Sequence, residues 1–160
     1  MIRTATTADA SAICAIYNHY VTDTIVTFEE RPVATTEMQS RMAAVLEKLP
    51  WLVLEHDGTI AGYAYAAAWK TRIGYRFTVE TSIYLAPAHI GRGFGSALYG
   101  TLMESLRAWN IHCVIGGLAL PNPASVALHE KFGFTQVAHF RENGFKFGRW
   151  IDVGYWQLSF

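Results

Sequence analysis

Three alternating glycines in the middle of the chain, Gly91, Gly93 and Gly95, are the residues whose spacing most clearly predicts chemistry. Glycine has no Cβ, so the backbone N–H groups of such a loop can approach a ligand closely. An amphipathic helical pattern follows, and the free N–H groups and the dipole at a helix N-terminus favour anions. Arg92 adds a guanidinium that can bond to phosphate. The pattern predicts a pyrophosphate site, against the alternative that the glycines only turn the chain.

Two common phosphate-binding motifs do not fit this loop. A dinucleotide-binding fingerprint requires another glycine at its sixth position, early in a strand–helix–strand unit. Ser96 stands at that position here, and the loop lies in mid-chain. A P-loop requires Gly-Lys followed by Ser or Thr, which the chain lacks. The loop therefore predicts a phosphate ligand of another kind.

A single carboxylate lies in the strand pattern that precedes the glycines. Alternation over residues 77–85 places Thr78, Glu80, Ser82 and Tyr84 on a polar face, opposite an apolar one. A carboxylate close to a substrate ammonium can remove its proton, directly or through a water. Glu80 is therefore a candidate general base, and the alternative is a structural glutamate held by its hydroxyl neighbours.

Helices and strands alternate along the chain and must bring these groups together. Apolar residues at helical spacing predict helices over about 9–22, 36–49, 94–109 and 123–132. Asp57-Gly58 and Asn143-Gly144 predict hairpin turns. No repeat or linker divides the chain, so we expect one domain over residues 1–160 of the α/β (α+β) class. Strands are predicted over 2–4, 51–55, 60–68, 77–85, 113–120, 134–141 and 147–159.

The composition argues against a nucleic-acid partner and for a protein partner. Thirteen basic and 13 acidic residues give a formal net charge of zero, whereas nucleic-acid binding by counterion release needs a basic surface. Charged residues make up 16% of the chain, against roughly 25% in an average one. Aromatic residues make up 14%. The low content of charged residues and the high content of aromatic residues predict that a partner subunit covers part of the surface.

Neither the cysteines nor the histidines have the spacing of a metal site. Cys14 falls in a helical pattern and Cys113 in a strand pattern, so both are predicted to be buried thiols. The N-terminus lacks the apolar core of a signal peptide, and no stretch reaches the ~18 apolar residues of a membrane span. We therefore expect a cytoplasmic protein with no metal and no membrane partner.

The glycine loop and the segments around it resemble the GNAT N-acetyltransferases. This family binds the pyrophosphate of acetyl-CoA at a Gln/Arg-x-x-Gly-x-Gly-Ala/Gly turn. Residues 90–96 match this turn except that Ile90 stands where Gln or Arg is usual and Ser96 where Ala or Gly is usual. A second family motif matches Asn122-Pro123-Ala124-Ser125 and Gly133-Phe134. The chain is similar to the phosphinothricin and methionine sulfoximine acetyltransferase branch in the segments 16–21, 27–28, 51–53, 62–65, 80–84 and 144–157.

The resemblance implies a GNAT fold, in which about four helices flank a mixed, mostly antiparallel central sheet. It implies acetyl-CoA as co-substrate and direct transfer of acetyl to the α-amino group of a small amino acid or analogue. Phosphinothricin, methionine sulfoximine and methionine sulfone are the candidates, with a role in herbicide or antibiotic resistance. A homodimer is also implied, and Trp150, Tyr155 and Trp156 mark one candidate surface, unless these rings fill the core of the chain itself.

The family's functional roles fall on particular residues of this chain. Glu80 takes the place of the catalytic carboxylate. His129 stands where many members have a tyrosine that protonates the CoA thiolate, so it is either a general acid or a packed side chain. The implied cofactor contacts are the backbone of Ile83, Tyr84 and Leu85 for the pantetheine arm, Gly91, Arg92, Gly93, Phe94, Gly95 and Ser96 for the pyrophosphate, and Asn122 and Ser125 near the thiol.

The resemblance also implies a site for the amino acid at Phe28, Arg72 and Tyr75. A guanidinium is a natural bidentate partner for a substrate carboxylate. Phe147 stands where the branch often has a histidine near the substrate, a departure that bears on the preference for phosphinothricin. Two other functions remain open: acetylation of another small amine, such as a polyamine or aminoglycoside, and a non-catalytic CoA-binding sensor.

Overall fold

A seven-stranded sheet with helices on both faces forms the computed structural model, which describes residues 1–160. The order of elements agrees with the sequence pattern. The strands are β1 (Ile2–Thr4), β2 (Trp51–His56), β3 (Thr59–Ala68), β4 (Thr78–Leu85), β5 (Cys113–Ala119), β6 (Thr135–Lys146) and β7 (Arg149–Ser159). The helices are α1 (Ala10–Asp23), α2 (Thr35–Leu46), α3 (Phe94–Ala108) and α4 (Pro123–Lys131).

The strand order in the sheet is β1-β2-β3-β4-β5-β7-β6, and every neighbouring pair is antiparallel except β4 and β5. The parallel pair is short, because only Thr78–Glu80 of β4 pairs with Cys113–Ile115 of β5. Beyond Glu80, β4 stays paired with β3 alone, and β5 stays paired with β7. The sheet therefore opens into a gap directly after Glu80.

Each face of the sheet has its own apolar core, which fixes the direction of the strands' side chains. Helix α3 buries Leu98, Tyr99, Leu102 and Leu106 on one face, together with Val79 of β4. Helices α1 and α2 bury the other face, where the buried residues include Ile13, Met42, Trp51, Val53 and Tyr63. None of the helices has the length and apolar character needed to cross a bilayer.

The predicted start of α4 is confirmed. Asn122 precedes the helix and its side-chain Oδ1 accepts a hydrogen bond from the N–H of Ser125 at 3.2 Å. Pro123 occupies the first helical position, where a missing N–H costs nothing. Capping by Asn122 therefore sets the position at which α4 begins.

The turn predicted at Asn143-Gly144 is wrong. The last hairpin turns at Phe147-Gly148, with φ angles of +52° and +71°, as a tight two-residue turn requires. Asn143 and Gly144 lie inside β6, where residues 141–143 bulge opposite Asp152 of β7. A contact distant in sequence explains the difference, because a Cβ at Gly144 would lie 2.2 Å from the ring of Phe28. Gly144 thus makes room for an aromatic ring rather than for a turn.

Candidate functional site

The gap between β4 and β5 exposes backbone groups of β4. The N–H of Ala86 donates to the carbonyl of Ala61 at 2.9 Å, and the register pairs Tyr84 with Tyr63 of β3. Alternation then turns the N–H and C=O groups of Ile83 towards the gap. Leu85 points the same way, and its carbonyl accepts a hydrogen bond from the hydroxyl of Tyr20 at 2.6 Å. An extended amide chain could pair with this edge as an added strand.

A cavity of about 440 Å³ opens where the gap meets the start of α3. Gly91 and Gly93 have φ angles of +79° and +80°, and no atom lies within 4 Å of the place a Cβ would take. The first helical hydrogen bond runs from the N–H of Ala97 to the carbonyl of Gly93, so the preceding N–H groups have no partner inside the helix. The cavity is lined by Tyr20, Val26, Ile83, Leu85, Ile90, Gly91, Gly93, Gly95, Ser96, Asn122, Ala124, Ser125, Ala127, Leu128 and Lys131.

The side chains of Arg92 and Phe94 are not part of this lining. Arg92 is exposed, with Nη1 at 3.3 Å from Nδ1 of His89. The ring of Phe94 rests against His56, with centroids 4.8 Å apart. The backbone N–H groups of both residues remain in the glycine turn, so only their main chain is positioned to meet an anion there.

Lys131 lines the same cavity, and the sequence analysis missed it. Its Nζ donates to the hydroxyl of Ser96 at 2.9 Å, which places a positive charge beside the glycine turn. Lys131 follows Ser96 by 35 residues. No local pattern could have joined the two, because the contact forms only when α4 packs beside the start of α3.

A narrow neck of about 50 Å³ continues the cavity through the gap in the sheet. His129 lies at this neck with 3% of its surface exposed, and its Nδ1 donates to the carbonyl of Ser125 at 2.8 Å. Burial lowers the pKa of His129, which favours the neutral ring. Nε2 faces β5, where a Cβ at Gly116 would lie 2.5 Å from it. Gly116 therefore makes room for the imidazole.

A third cavity, of about 490 Å³, lies on the α1–α2 face of the sheet. Glu80, Ser82 and Tyr84 line it together, which confirms that they share a face of β4. Burial raises the pKa of the Glu80 carboxyl above its ordinary value, and Lys70 offsets this in part. No hydrogen bond from the neighbouring hydroxyls contributes to the shift. This disfavours a structural glutamate held by those hydroxyls and favours a carboxylate that can accept a proton.

Gly117 of β5 leaves room for the Glu80 carboxylate at the point where β4 and β5 separate. A Cβ at this position would lie 2.9 Å from Oε1 of Glu80 and 3.0 Å from the ring of Tyr155. Both are closer than real Cβ contacts allow, so a larger residue would displace the carboxylate. Successive glycines in β5 thus accommodate His129 and Glu80 on opposite faces of the sheet.

The three cavities adjoin one another across the gap in the sheet. Asn122 and Ser125 belong to the walls of both the first cavity and the neck. Ser82 and Gly117 belong to the walls of both the neck and the third cavity. A ligand entering at the glycine turn can therefore reach Glu80 on the other face. We call the two ends the cofactor cavity and the acceptor cavity.

Of the three residues expected to bind the amino acid, only Phe28 lines the acceptor cavity. Arg72 and Tyr75 lie in the connection between β3 and β4, at and within the short 3-10 turn Ile73–Tyr75. Both are exposed and contribute nothing to the walls of the three cavities in this chain. Tyr155 stands in the wall instead, on a strand distant in sequence from Glu80.

Known proteins are similar in sequence to this chain over nearly its full length. The phosphinothricin N-acetyltransferase of Streptomyces viridochromogenes is 42% identical over 159 residues, covering 99% of this chain and 87% of that protein. The L-methionine sulfoximine/L-methionine sulfone acetyltransferase of Salmonella typhimurium is 40% identical over 159 residues, covering 99% and 93%.

Two solved structures superpose closely on this chain. One is an acetyltransferase from Salmonella typhimurium with acetyl-CoA, with a TM-score of 0.96, 39% identity and coverage of 99% of this chain and 92% of that one. The other is a phosphinothricin acetyltransferase from Sinorhizobium meliloti in complex with acetyl-CoA, with a TM-score of 0.96, 37% identity and coverage of 99% and 87%. The predicted fold is confirmed. Since the model of the acetyltransferase (GNAT) domain also matches residues 2–154, the chain belongs to the GNAT acetyltransferase family.

Proposed function

We propose that the chain transfers acetyl from acetyl-CoA to the α-amino group of a small amino acid analogue of the methionine sulfoximine, methionine sulfone or phosphinothricin class. One observation carries the proposal: the cofactor and acceptor cavities meet through the sheet, and Glu80 stands at the acceptor end. The activities named for the relatives from Streptomyces viridochromogenes and Salmonella typhimurium support the same substrate class.

Acetyl-CoA, when bound, supplies an acetyl group activated as a thioester. The N–H groups of the Gly91–Ser96 turn, with Lys131 beside them, suit the pyrophosphate. The gap-facing backbone of Ile83 and Leu85 suits the amides of the pantetheine arm. Asn122 and Ser125 flank the neck through which the thioester end would pass.

Glu80 is proposed to take the proton from the substrate ammonium, directly or through a water. The neutral amine then forms the new C–N bond, the C–S bond breaks with its electron pair leaving on the thiolate, and the nitrogen loses its second proton to solvent to give the amide. Because burial raises the pKa of Glu80, the carboxylate is a better base than an exposed one. The thiolate must then gain a proton, and His129 at the neck is the proposed donor. Because burial lowers the pKa of His129, the minor protonated form of the ring donates this proton, and the ring regains a proton from solvent.

A panel of amines scored by thiol release from acetyl-CoA tests the proposal. We expect kcat/KM for methionine sulfoximine, methionine sulfone or phosphinothricin to exceed that for spermidine and kanamycin by about 10-fold or more, which corresponds to ~1.4 kcal/mol. The physical reason is that Glu80 is the only carboxylate in the acceptor cavity. One negative charge is too few to favour a substrate that carries several positive charges. Preference for the polycations would contradict the substrate class. CoA binding without thiol release from any amine would instead indicate a sensor.

Arg72→Ala tests whether the guanidinium binds the substrate carboxylate. The variant is expected to raise KM for the amino acid with little change in kcat, because holding a remote carboxylate gives equal binding in the ground and transition states. The preference for amino acids over the matching decarboxylated amines should also shrink. Steady-state kinetics with both substrates measure this. An unchanged KM would remove Arg72 from the site, in keeping with its exposed position in this chain.

We also propose that the protein is a homodimer that acts in the cytoplasm, where its acetyl donor is available. Of the three aromatic residues expected to mark the dimer surface, only Trp150 is exposed, at 62%. Trp156 is buried in the core at 3%, and Tyr155 lines the acceptor cavity. We propose that the exposed aromatic residues of the β6–β7 hairpin form the apolar patch for the dimer: Phe140, Phe145, Phe147 and Trp150.

Sedimentation velocity measures the assembly directly. We expect a mass near twice the 17.9 kDa of one chain at micromolar concentration, because an apolar patch of this kind favours burial against a partner. Trp150→Lys should shift the mass towards the monomer, whereas Trp109→Lys, at the far end of α3, should leave it unchanged. A monomeric wild-type protein would rule the dimer out.

A further inference from the structure

Lys146 is a buried cation to which neither the family resemblance nor the proposed chemistry assigns a role. It is the last residue of β6, with 1% of its surface exposed. Its Nζ donates to the carbonyl oxygens of Thr24 and Thr27 at 2.7 Å each, and of Tyr20 at 3.4 Å. An ammonium has three N–H donors, so three carbonyls account for all of them.

These carbonyls belong to the end of α1 and the loop that follows it. Tyr20 lies in the last turn of the helix and Thr24 is its C-cap. A cation at a helix C-terminus is favourable because the unpaired carbonyls there carry partial negative charge. Thr27 lies further along the loop. Lys146 therefore connects both the end of α1 and the loop to the end of β6. More than 100 residues separate the two partners in sequence, since Lys146 follows Thr27 by 119 positions.

The segment held by Lys146 forms a wall of the active site. Val26 lines the cofactor cavity, the neck and the acceptor cavity. Thr27 and Phe28 line the acceptor cavity. The ring of Phe28 sits over Gly144, two residues before Lys146, where a Cβ would lie 2.2 Å from the ring. Lys146 and Gly144 therefore seat the same loop from the same strand.

Burying an ammonium is costly, and an apolar side chain could hold a loop by packing alone. The cation adds directional hydrogen bonds to particular carbonyls. These bonds hold residues 24–28 at a defined position relative to the sheet. We propose that Lys146 is a positioning residue that seats residues 24–28 as the wall of the acceptor cavity. The proposal rests on the proposed function, because it names the acceptor amine as the ligand whose site depends on this contact.

Lys146→Met tests the proposal, since methionine keeps the apolar stem and removes all three donors. We expect KM for methionine sulfoximine to rise about 10-fold or more, because the loop loses hydrogen bonds to a charged group. The Kd for CoA, measured by calorimetry, should change by less than about 3-fold, since most of the cofactor cavity lies on the glycine turn, α3 and α4. Lys48→Met is the matched control, because Lys48 is exposed.

Hydrogen exchange separates positioning from general destabilisation. In Lys146→Met, faster exchange should be confined to residues 24–29 and the end of α1. Lys146→Arg, which keeps a cationic donor, should recover part of the KM effect. An unchanged KM, or faster exchange spread evenly over the sheet, would overturn the proposal.

A measurement on the wild-type protein covers the case in which the variant does not fold. Reaction of lysines with an amine-selective acetylating reagent, followed by peptide mass spectrometry, should modify Lys146 much more slowly than Lys48. Saturating CoA and methionine sulfoximine should slow it further, because a ligand that binds only the seated loop shifts the equilibrium towards it. Equal rates at Lys146 and Lys48 would overturn the proposal. A protected Lys146 in a protein that acetylates no amino acid would instead reject the proposed substrate class.

Discussion

Glu80→Gln is expected to lower kcat by roughly 10²–10⁴-fold, the usual contribution of a general base. Glutamine keeps the size of the side chain, so the room that Gly117 leaves for it remains filled. It cannot accept the proton of the substrate ammonium, so only amine that is already neutral can react. The affinity for CoA should hardly change, because Glu80 lines the acceptor cavity and not the cofactor cavity.

The pH dependence of the variant identifies the missing proton acceptor. The base acts in its deprotonated form, so wild-type activity should rise with pH through the pKa of Glu80. Burial raises that pKa, which moves this rise to higher pH than an exposed carboxyl would give. The variant should lack this rise and recover activity gradually in alkaline buffer as the amine itself deprotonates. Steady-state rates between about pH 4 and 9 distinguish the two profiles.

A matched control guards against a general loss of structure. Glu104 is an exposed glutamate on α3, and Glu104→Gln should retain wild-type kcat. If Glu80→Gln kept full kcat over the same pH range, Glu80 would be structural and the assignment of the base would be wrong.

Gly93→Val is expected to weaken CoA binding by about 100-fold or more, because hydrogen bonds to charged groups contribute ~1.5–3 kcal/mol each. Gly93 has a φ of +80°, and the space where a Cβ would stand is empty of protein atoms. A valine would place its branched side chain where the phosphates must approach the N–H groups. Calorimetry with CoA alone measures the effect without any amine.

Gly58→Val separates loss of the phosphate site from backbone strain. Gly58 has a φ of +73° and likewise no atom within 4 Å of a built Cβ, but it lies in the β2–β3 turn outside the cofactor cavity. Both variants therefore pay a similar conformational cost. Only Gly93→Val should lose CoA affinity, and equal losses in the two would contradict the phosphate site.

The sequence determined the features that depend on neighbouring residues. Alternation along one strand placed Glu80, Ser82 and Tyr84 on the same face, because successive side chains of a strand point to opposite sides. The glycine turn could be predicted from the sequence, because positive φ angles and the start of an amphipathic helix depend on local residues. Asn122 was readable as a helix cap for the same reason.

Only the tertiary structure decided how these features combine into a site. The gap after Glu80 arises because β4 and β5 keep different outer partners, and no local pattern records which strands become neighbours. Asn143-Gly144 has the composition of a turn, yet the ring of Phe28 takes the space above Gly144 and the chain turns four residues later. Lys131 and Lys146 act on partners at least 35 residues away. Contacts of this kind exist only after chain segments distant in sequence pack together. The presence of a lysine in the sequence therefore does not predict which groups its ammonium will bind.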